Sequence, residues 1–334
     1  MKYGSIPGLD RPVSRFIFGT AHPAFFSATR SLHEGEPGFE EALQKAFALL
    51  DEVYAMGVNL IDCSAHYGEE PVGEWLAARK LQGKVYLLTK GAHHNRWRKR
   101  VTPFDILSDA HDSLIKLGVP RIDIYLLHRD DPTQPVGPIM EALHQLHQQG
   151  KVNVLGVSNW TLDRLQQANA YAKEHGLTPF TVTSPHYGLA EQLVDVWGGG
   201  CTTVAGKANK QEREWYIANK MSVLAYSSLA RGLFSGRFRS GDTAKMRQVM
   251  DEPGLRGYVN EDNLKRLARA EVMAGEMGVP VSEIALAWML EQPLDVFPIV
   301  STSHAELMRS NIHAGELKLS DSDRAWLNLE KETR

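Results

Sequence analysis

Short, continuous apolar runs alternate with amphipathic stretches from one end of the chain to the other. The runs are "RFIFGT" (15–20), "VNLIDCS" (58–64), "VYLLTK" (85–90), "IDIYLLH" (122–128), "VNVLGVSN" (152–159), "FTVTSPHY" (180–187), "SVLAYSSL" (222–229) and "DVFPIV" (295–300). Continuous rather than alternating apolarity marks strands buried on both faces, as in parallel sheets. Between them, "GFEEALQKAFALLDEVYAMG" spaces Leu43, Phe47, Leu50, Val53 and Tyr54 at helical intervals, with Gly57 closing the helix. "TPFDILSDAHDSLIKLG" predicts a helix capped by Thr102, with Pro103 in its first turn and Gly118 at its end. "TLDRLQQANAYAKEHG" and "VSEIALAWMLEQ" predict two more, with Thr161 and Ser282 as caps. Eight such strands with intervening helices predict a (β/α)8 TIM barrel, an α/β fold in one domain over residues 1–334. A doubly wound sheet shares the alternation, but no G-x-G-x-x-G follows the first strand. Two connections exceed the usual few residues: 197–209, and 236–260 directly after the seventh strand.

Composition narrows the picture. The chain has 334 residues, 43 % hydrophobic and 23 % charged, which suits an ordinary globular core. A net charge of −3, from 37 basic and 40 acidic residues, argues against a nucleic-acid partner. No apolar stretch approaches the roughly 20 residues of a membrane span, and the first residues lack a signal-peptide core. We therefore expect a cytoplasmic protein with no membrane partner. Cys63 and Cys201 are too few for a disulfide framework or a zinc ribbon.

In a parallel barrel, chemistry collects at the C-terminal ends of the strands. The second predicted strand ends at Asp62, with Tyr67 five residues on; the third ends at Lys90 and the fourth at His128. The fifth ends at Ser158 and Asn159, and the seventh delivers Tyr226 and Ser227. Each alone has a plain structural explanation, since polar groups commonly occupy loops. Together they make a coherent set. A phenol near its reference pKa of about 10 is a poor acid at neutral pH. A nearby ammonium is expected to lower that value, and Asp62 can keep a partly buried Lys90 charged. His128 can donate to a substrate oxygen. The set predicts a tuned proton donor aimed at a carbonyl oxygen.

These residues resemble the aldo-keto reductase superfamily from "FIFGT" to "SNIHAGELKLS". The motifs that carry the resemblance are Asp62 with "HYGEE", Lys90 in "LLTKG", His128 in "YLLHRD", "GVSNW", "AYSSLARGL" and "ELMRSNI". The resemblance implies an NAD(P)H-dependent reductase of an aldehyde or ketone, with a small carbonyl or alcohol as its partner and a sugar-derived one among the candidates. Asp62, Tyr67, Lys90 and His128 are then the catalytic set. Ser158 and Asn159 are implied to hold the nicotinamide carboxamide, Tyr226 to stack on the ring, and Ser227, Leu229 and Gly232 to surround the pyrophosphate. Asn311 is implied at the adenine, and "QVMDEPGLRGYVNED" (248–262) reads as a flexible loop covering the cofactor rather than a partner site.

The chain departs from the family pattern in several places. Ser184 stands where relatives often have a carboxamide-binding glutamine, and Cys63 where a threonine commonly follows the aspartate. Cys63 reads as a small buried packing residue rather than a redox-sensitive thiol. Leu307 and Ser301 occupy places that are often basic in NADPH-preferring relatives. Ser301, Thr302 and Ser303, the last as cap of the following helix, together with Arg309, remain to meet a 2′-phosphate. NADP(H) is expected to be favoured, with NAD(H) usable.

Other stretches carry weaker signals. "RWRKR" (96–100) reads as a solvated loop, with Arg96 and Trp97 near the pocket mouth. Phe25, Phe26 and Trp160 are expected to wall the substrate pocket beside Trp97. His93 and His94 are adjacent and have no third ligand spaced nearby, so no metal is expected. Two competing functions are a Schiff-base aldolase using Lys90, for which "GVSNW" has no role, and a non-catalytic cofactor-bound sensor.

Overall fold

All eight apolar runs contain strands in the computed structural model, which describes residues 1–334. A two-residue hairpin comes first, β1 (Tyr3–Gly4) against β2 (Val13–Ser14). The barrel strands follow: β3 (Ile17–Gly19), β4 (Leu60–Asp62), β5 (Tyr86–Gly91), β6 (Ile122–Leu127), β7 (Val152–Ser158), β8 (Val182–Ser184), β9 (Ser222–Ala225) and β10 (Val296–Val300). They form one closed barrel in the order β10-β3-β4-β5-β6-β7-β8-β9, and the registered pairs are parallel. The fold is therefore the predicted (β/α)8 barrel. Every strand residue from β3 to β10 is buried except Asp123 and Asn153, which explains why the runs read as continuous.

The chain falls into two compact units. The first comprises Tyr3–Ser184 with Ser301–Ala305; the second comprises Met1–Lys2, Pro185–Val300 and Glu306–Arg334. In the first, β4 to β8 are consecutive parallel neighbours, so their C-terminal ends emerge side by side. Its helices Phe39–Ala55, Glu69–Arg79, Pro103–Leu117, Val136–Gln148 and Leu162–His175 pack outside these strands through buried faces such as Ile106, Ala110 and Leu117. Thr102 caps its helix by accepting from the Asp105 amide, and Gly118 ends it with φ +63°. Thr161 likewise accepts from the Arg164 amide.

Several expectations change. The helix containing Ser282 starts at Val281 after Pro280, so Ser282 lies inside the first turn rather than at the cap. The last cofactor-end helix starts at Ala305, two residues beyond Ser303, so Ser303 does not cap it. The long connection 236–260 contains the helices Thr243–Val249 and Glu252–Tyr258, so much of the stretch 248–262 expected as a flexible loop is helical. Asp242 and Asp251 cap them by accepting from the Lys245 and Gly254 amides. No helix is long and apolar enough to cross a membrane.

Candidate active site

The site in the first unit is built at the ends of β4, β5 and β6. Beyond the strand itself, the Cys63 amide donates to Leu88 O (2.8 Å) and the Ala65 amide to Lys90 O (3.1 Å). These bonds tie the segment after Asp62 to the strand bearing Lys90. The chain then closes on itself, with Ser64 and Tyr67 exchanging backbone bonds of 2.9 Å each. Gly68 follows with φ +77°, and a Cβ there would lie 1.9 Å from the Thr20 hydroxyl, so only glycine lets this turn pass. The turn brings the Tyr67 phenol back to the strand ends. The His128 amide donates to Gly91 O at 2.8 Å, which fixes the third strand end against the second.

The Lys90 ammonium is the centre of the arrangement. It donates to Asp62 Oδ1 in an ion pair, to Cys63 O at 3.0 Å and to the Tyr67 hydroxyl at 2.9 Å. Three donors meet three acceptors, so a buried ammonium is fully satisfied. Lys90 and Asp62 are 3 % and 4 % exposed, which removes solvent screening from the pair. Burial works against the lysine's charge, but Asp62 and Tyr67 outweigh it and hold Lys90 above its ordinary value. Burial likewise raises Asp62 against the pull of Lys90. For the coupled pair the decisive direction is the lysine's, which stays protonated.

One expectation is reversed here. Lys90 does favour the phenolate, but burial and the Asp62 charge outweigh it, and Tyr67 is pushed up to about 12. Burial is the larger cause, and the Asp62 charge, which offsets the ammonium, is the second. Burial, then the Lys90 charge, hold His128 well below the ordinary histidine value. Its Nδ1 is buried without a partner, so the single proton of the neutral ring belongs on Nε2, where it can be donated. The Tyr67 and His128 rings meet edge to face, 6.3 Å apart.

At the next strand ends, Ser158 Oγ donates to Ser184 O (2.8 Å), and Asn159 Nδ2 lies 3.1 Å from Ser158 Oγ and 3.2 Å from His128 O. Asn159 holds φ +63°, a conformation few residues other than asparagine and glycine adopt. Ser184 Oγ is buried with no hydrogen-bond partner. A buried orphan hydroxyl beside a serine and an asparagine suits a ligand amide, so these residues fit a nicotinamide carboxamide.

In the second unit, Tyr226 follows β9. Its hydroxyl donates to Thr202 O (3.2 Å), and its ring is tilted against that of His186, 6.1 Å away. Ser227, Ala230 and Arg231 carry φ near +51°, and Gly232 +95°, a cluster of left-handed residues of the kind found at ligand loops. Leu229 is partly exposed. Arg231 is bound to Asp251 and lies over the Trp197 ring at 4.3 Å. Asp195 receives the amides of Trp197, Gly199 and Cys201 (2.8–3.1 Å); burial opposes its charge, but these bonds bring it down to about 2. Among the residues expected at the cofactor's far end, Thr302 and Asn311 are buried, while Ser301, Ser303 and Arg309 are exposed.

The expected pocket wall narrows. Phe26 meets the Tyr67 ring edge-on at 6.4 Å. Phe25 is fully buried against Phe18, and Trp160 is buried against Phe180 with its indole N–H on Arg129 O (3.2 Å). Both rings are therefore enclosed by protein. Trp97 is 75 % exposed, with the Arg96 guanidinium over its ring at 4.4 Å. The basic run is not simply solvated. Arg98 makes a two-pronged pair with Asp105 (2.5 and 2.6 Å), Arg100 pairs with Asp109, and Lys99 reaches Asp131 (3.2 Å). Cys63 is buried, and burial raises its thiol well above the ordinary value, as befits a packing residue.

Two histidines also stand at the site, His66, which the sequence did not single out, and His93, weighed there only as a metal ligand. His66, beside Tyr67, and His93, three residues past Lys90, stand next to each other with ring centres 4.4 Å apart, and His93 is 4.7 Å from His128. Both follow the same strand ends that were read for Asp62 and Lys90, and that shared spacing was the available signal. No group of three histidine, cysteine, aspartate or glutamate side chains in the chain could hold a metal ion.

The family model "Aldo/keto reductase family" matches residues 35–328. Among similar proteins are norsolorinic acid reductase B of Aspergillus parasiticus (28 % identical, covering 88 % of this chain and 76 % of the relative) and an aryl-alcohol dehydrogenase [NADP(+)] of Phanerodontia chrysosporium (27 %, 85 % and 75 %). The aldo-keto reductase YhdN of Bacillus subtilis is 27 % identical, covering 88 % of this chain and 82 % of the relative. With the match extending over most of the barrel, the chain belongs to the aldo/keto reductase family of carbonyl-active oxidoreductases, which use NAD(P)H.

Proposed function

We propose that this enzyme reduces an aldehyde or ketone to the alcohol, aromatic aldehydes in particular, with Tyr67 as proton donor and NADPH modestly preferred over NADH. The observation that carries the reading is the Lys90 ammonium bound at once to Asp62, Cys63 O and the Tyr67 hydroxyl. The aromatic preference draws on the aryl-alcohol dehydrogenase of P. chrysosporium and on Phe26 beside Tyr67.

Ser158, Asn159 and Ser184 would hold the carboxamide, Tyr226 the ring face, and Ser227, Leu229 and Gly232 the pyrophosphate. Ser301, Thr302, Ser303, Arg309 and Asn311 would meet the adenosine end. When bound, the cofactor supplies the hydride that reduces the carbonyl carbon. The chain's own residues do the rest. His128 Nε2–H and the Tyr67 hydroxyl both donate to the carbonyl oxygen, polarising it and fixing the face presented. As that oxygen gains alkoxide character it becomes more basic than a phenolate, so Tyr67 gives up its proton even with a pKa near 12. Lys90 then stabilises the phenolate, and Asp62 keeps Lys90 in place. The same ion pair disfavours a Schiff-base aldolase, which needs a neutral amine.

A steady-state assay following NADPH oxidation with benzaldehyde tests the proposal; no oxidation with any aldehyde or ketone of a broad panel refutes it. The raised Tyr67 value also fixes a pH dependence. Reduction needs the phenol, which is protonated throughout the neutral range. Alcohol oxidation needs the phenolate, whose fraction grows about tenfold per pH unit below the pKa. We expect kcat/KM for alcohol oxidation to climb from pH 7 to 9 while that for reduction changes little. A flat oxidation profile would show that Tyr67 is not the titrating base.

Cofactor preference is expected to be weak. The helix beginning at Ala305 offers its N-terminal dipole, worth about 0.3–1 kcal/mol at an exposed end, and Arg309 is the basic side chain on it. Discrimination from the dipole alone is only several-fold. Dissociation constants for NADPH and NADH measured side by side decide the point, and a thousandfold preference for either would overturn it.

A further inference from the structure

Beside the proton donor lies a row of three imidazoles, two of which have no part in the proton chemistry. From the Tyr67 ring the row runs to His128 at 6.3 Å, to His93 at a further 4.7 Å and to His66 at a further 4.4 Å, each contact edge to face. His128 and His93 are half-buried and His66 is exposed, so the row reaches from the catalytic hydroxyl to solvent. Phe26 also meets Tyr67, at 6.4 Å, and is itself 42 % exposed. The rings that meet Tyr67 are thus one apolar ring and the first of a line of imidazoles.

The bonding of His93 defines what it can recognise. Its Nδ1 lies 2.8 Å from the His94 carbonyl oxygen, and a carbonyl only accepts, so Nδ1 carries the ring proton. On the neutral ring, Nε2 is then an acceptor and nothing else. Burial favours the neutral ring, holding His93 below the ordinary histidine value despite the His94 carbonyl. The loop itself is held in place. The Ala92 amide donates to Asp109 Oδ2 at 2.8 Å, and a His94 ring nitrogen is 3.1 Å from Asp130 O. A preset acceptor one ring away from a residue that grips the carbonyl oxygen calls for a donor on the substrate, a short distance from its carbonyl.

We infer that His93 determines specificity by accepting a hydrogen bond at Nε2 from a hydroxyl group on the substrate. The enzyme therefore favours ring-hydroxylated aromatic carbonyl compounds, with Phe26 covering their apolar part. This rests on the carbonyl-reductase reading above and names the substrate class within it.

The test compares hydroxybenzaldehydes with methoxybenzaldehydes substituted at the same ring position, since the methoxy group keeps the size and loses the donor. The quantity read is the ratio of kcat/KM for the hydroxy over the methoxy compound, in which effects common to both substrates cancel. His93→Phe keeps an edge-to-face ring and removes the acceptor; we expect the ratio to fall about three- to tenfold from the wild-type value, the range of one neutral hydrogen bond. His93→Gln returns an acceptor at similar reach and should restore at least half of that loss. Should His93→Phe fold poorly, His93→Leu carries the same expectation. A ratio equal to wild type in the apolar variant overturns the inference, as does an equal loss in the phenylalanine and glutamine variants. If the wild-type enzyme reduces other carbonyl compounds but no aromatic aldehyde, the inference falls and the reductase reading stands. If it reduces no carbonyl compound at all, both fall.

Discussion

Tyr67→Phe is expected to lower carbonyl turnover by roughly 10²-fold or more, the range for removing a general acid, while cofactor binding is retained. The substitution keeps the ring, and with it the edge contacts to Phe26 and His128. What it removes is one hydroxyl and the 2.9 Å bond from Lys90. The ammonium then keeps Asp62 and Cys63 O, so it stays charged but has no phenol to act on. The loss should therefore appear in kcat rather than in the dissociation constant of the reduced cofactor. Near-normal turnover in this variant, with the fold shown intact by circular dichroism, would remove Tyr67 from the proposed role.

Lys90→Met is expected to have the second large effect, and it acts on two levels. Turnover should fall by about 10²–10⁴-fold, because no positive charge remains to stabilise the phenolate as the proton leaves. Stability should fall as well. Removing one partner of a buried ion pair costs about 3–5 kcal/mol, lessened to the extent that the stranded group can neutralise itself. Here Asp62 is the stranded group, and it does so by taking up a proton. Its folded-state pKa, already raised by burial, rises further without Lys90. A carboxyl with a folded value above its unfolded one binds more protons in the native state, so stability falls as pH rises through that interval. The variant should accordingly melt closer to wild type at pH 5 than at pH 8. A melting-temperature deficit that is the same at both pH values would show that Asp62 is not left uncompensated.

The barrel was legible because burial on both faces leaves a trace in composition: the runs from "RFIFGT" to "DVFPIV" hold every barrel strand. The hairpin of Tyr3–Gly4 with Val13–Ser14 left no such trace, being two residues a side. The helices Thr243–Val249 and Glu252–Tyr258 were overlooked although "DEPG" presents an N-cap aspartate with proline in the first turn; seven residues are too few for a periodic apolar face to stand out. Thr102 and Thr161 were readable as caps because each directly precedes its helix, whereas Ser282 and Ser303 sit near boundaries that backbone geometry set differently. At the site, the arrival of Asp62, Lys90 and His128 at successive strand ends follows from residue order alone. The direction of the Tyr67 shift does not, because it depends on how deeply the phenol is buried and on how completely Asp62 cancels Lys90. Nor does order say that the basic run 96–100 finds its counter-charges one helix later, at Asp105 and Asp109.

That last arrangement has a practical consequence for protein engineering. Residues 92–100 are clasped at both ends by the same helix: Asp109 takes the Ala92 amide and Arg100, and Asp105 takes Arg98. Between the clasps, Asn95, Arg96 and Trp97 are exposed. A randomised library confined to Arg96 and Trp97 would thus vary the tip of the loop while its base stays anchored. A library that included Arg98 or Arg100 would instead weaken the clasps: without Arg98, Asp105 keeps Arg100 and Thr102, and without Arg100, Asp109 loses its ion pair and keeps the Ala92 amide.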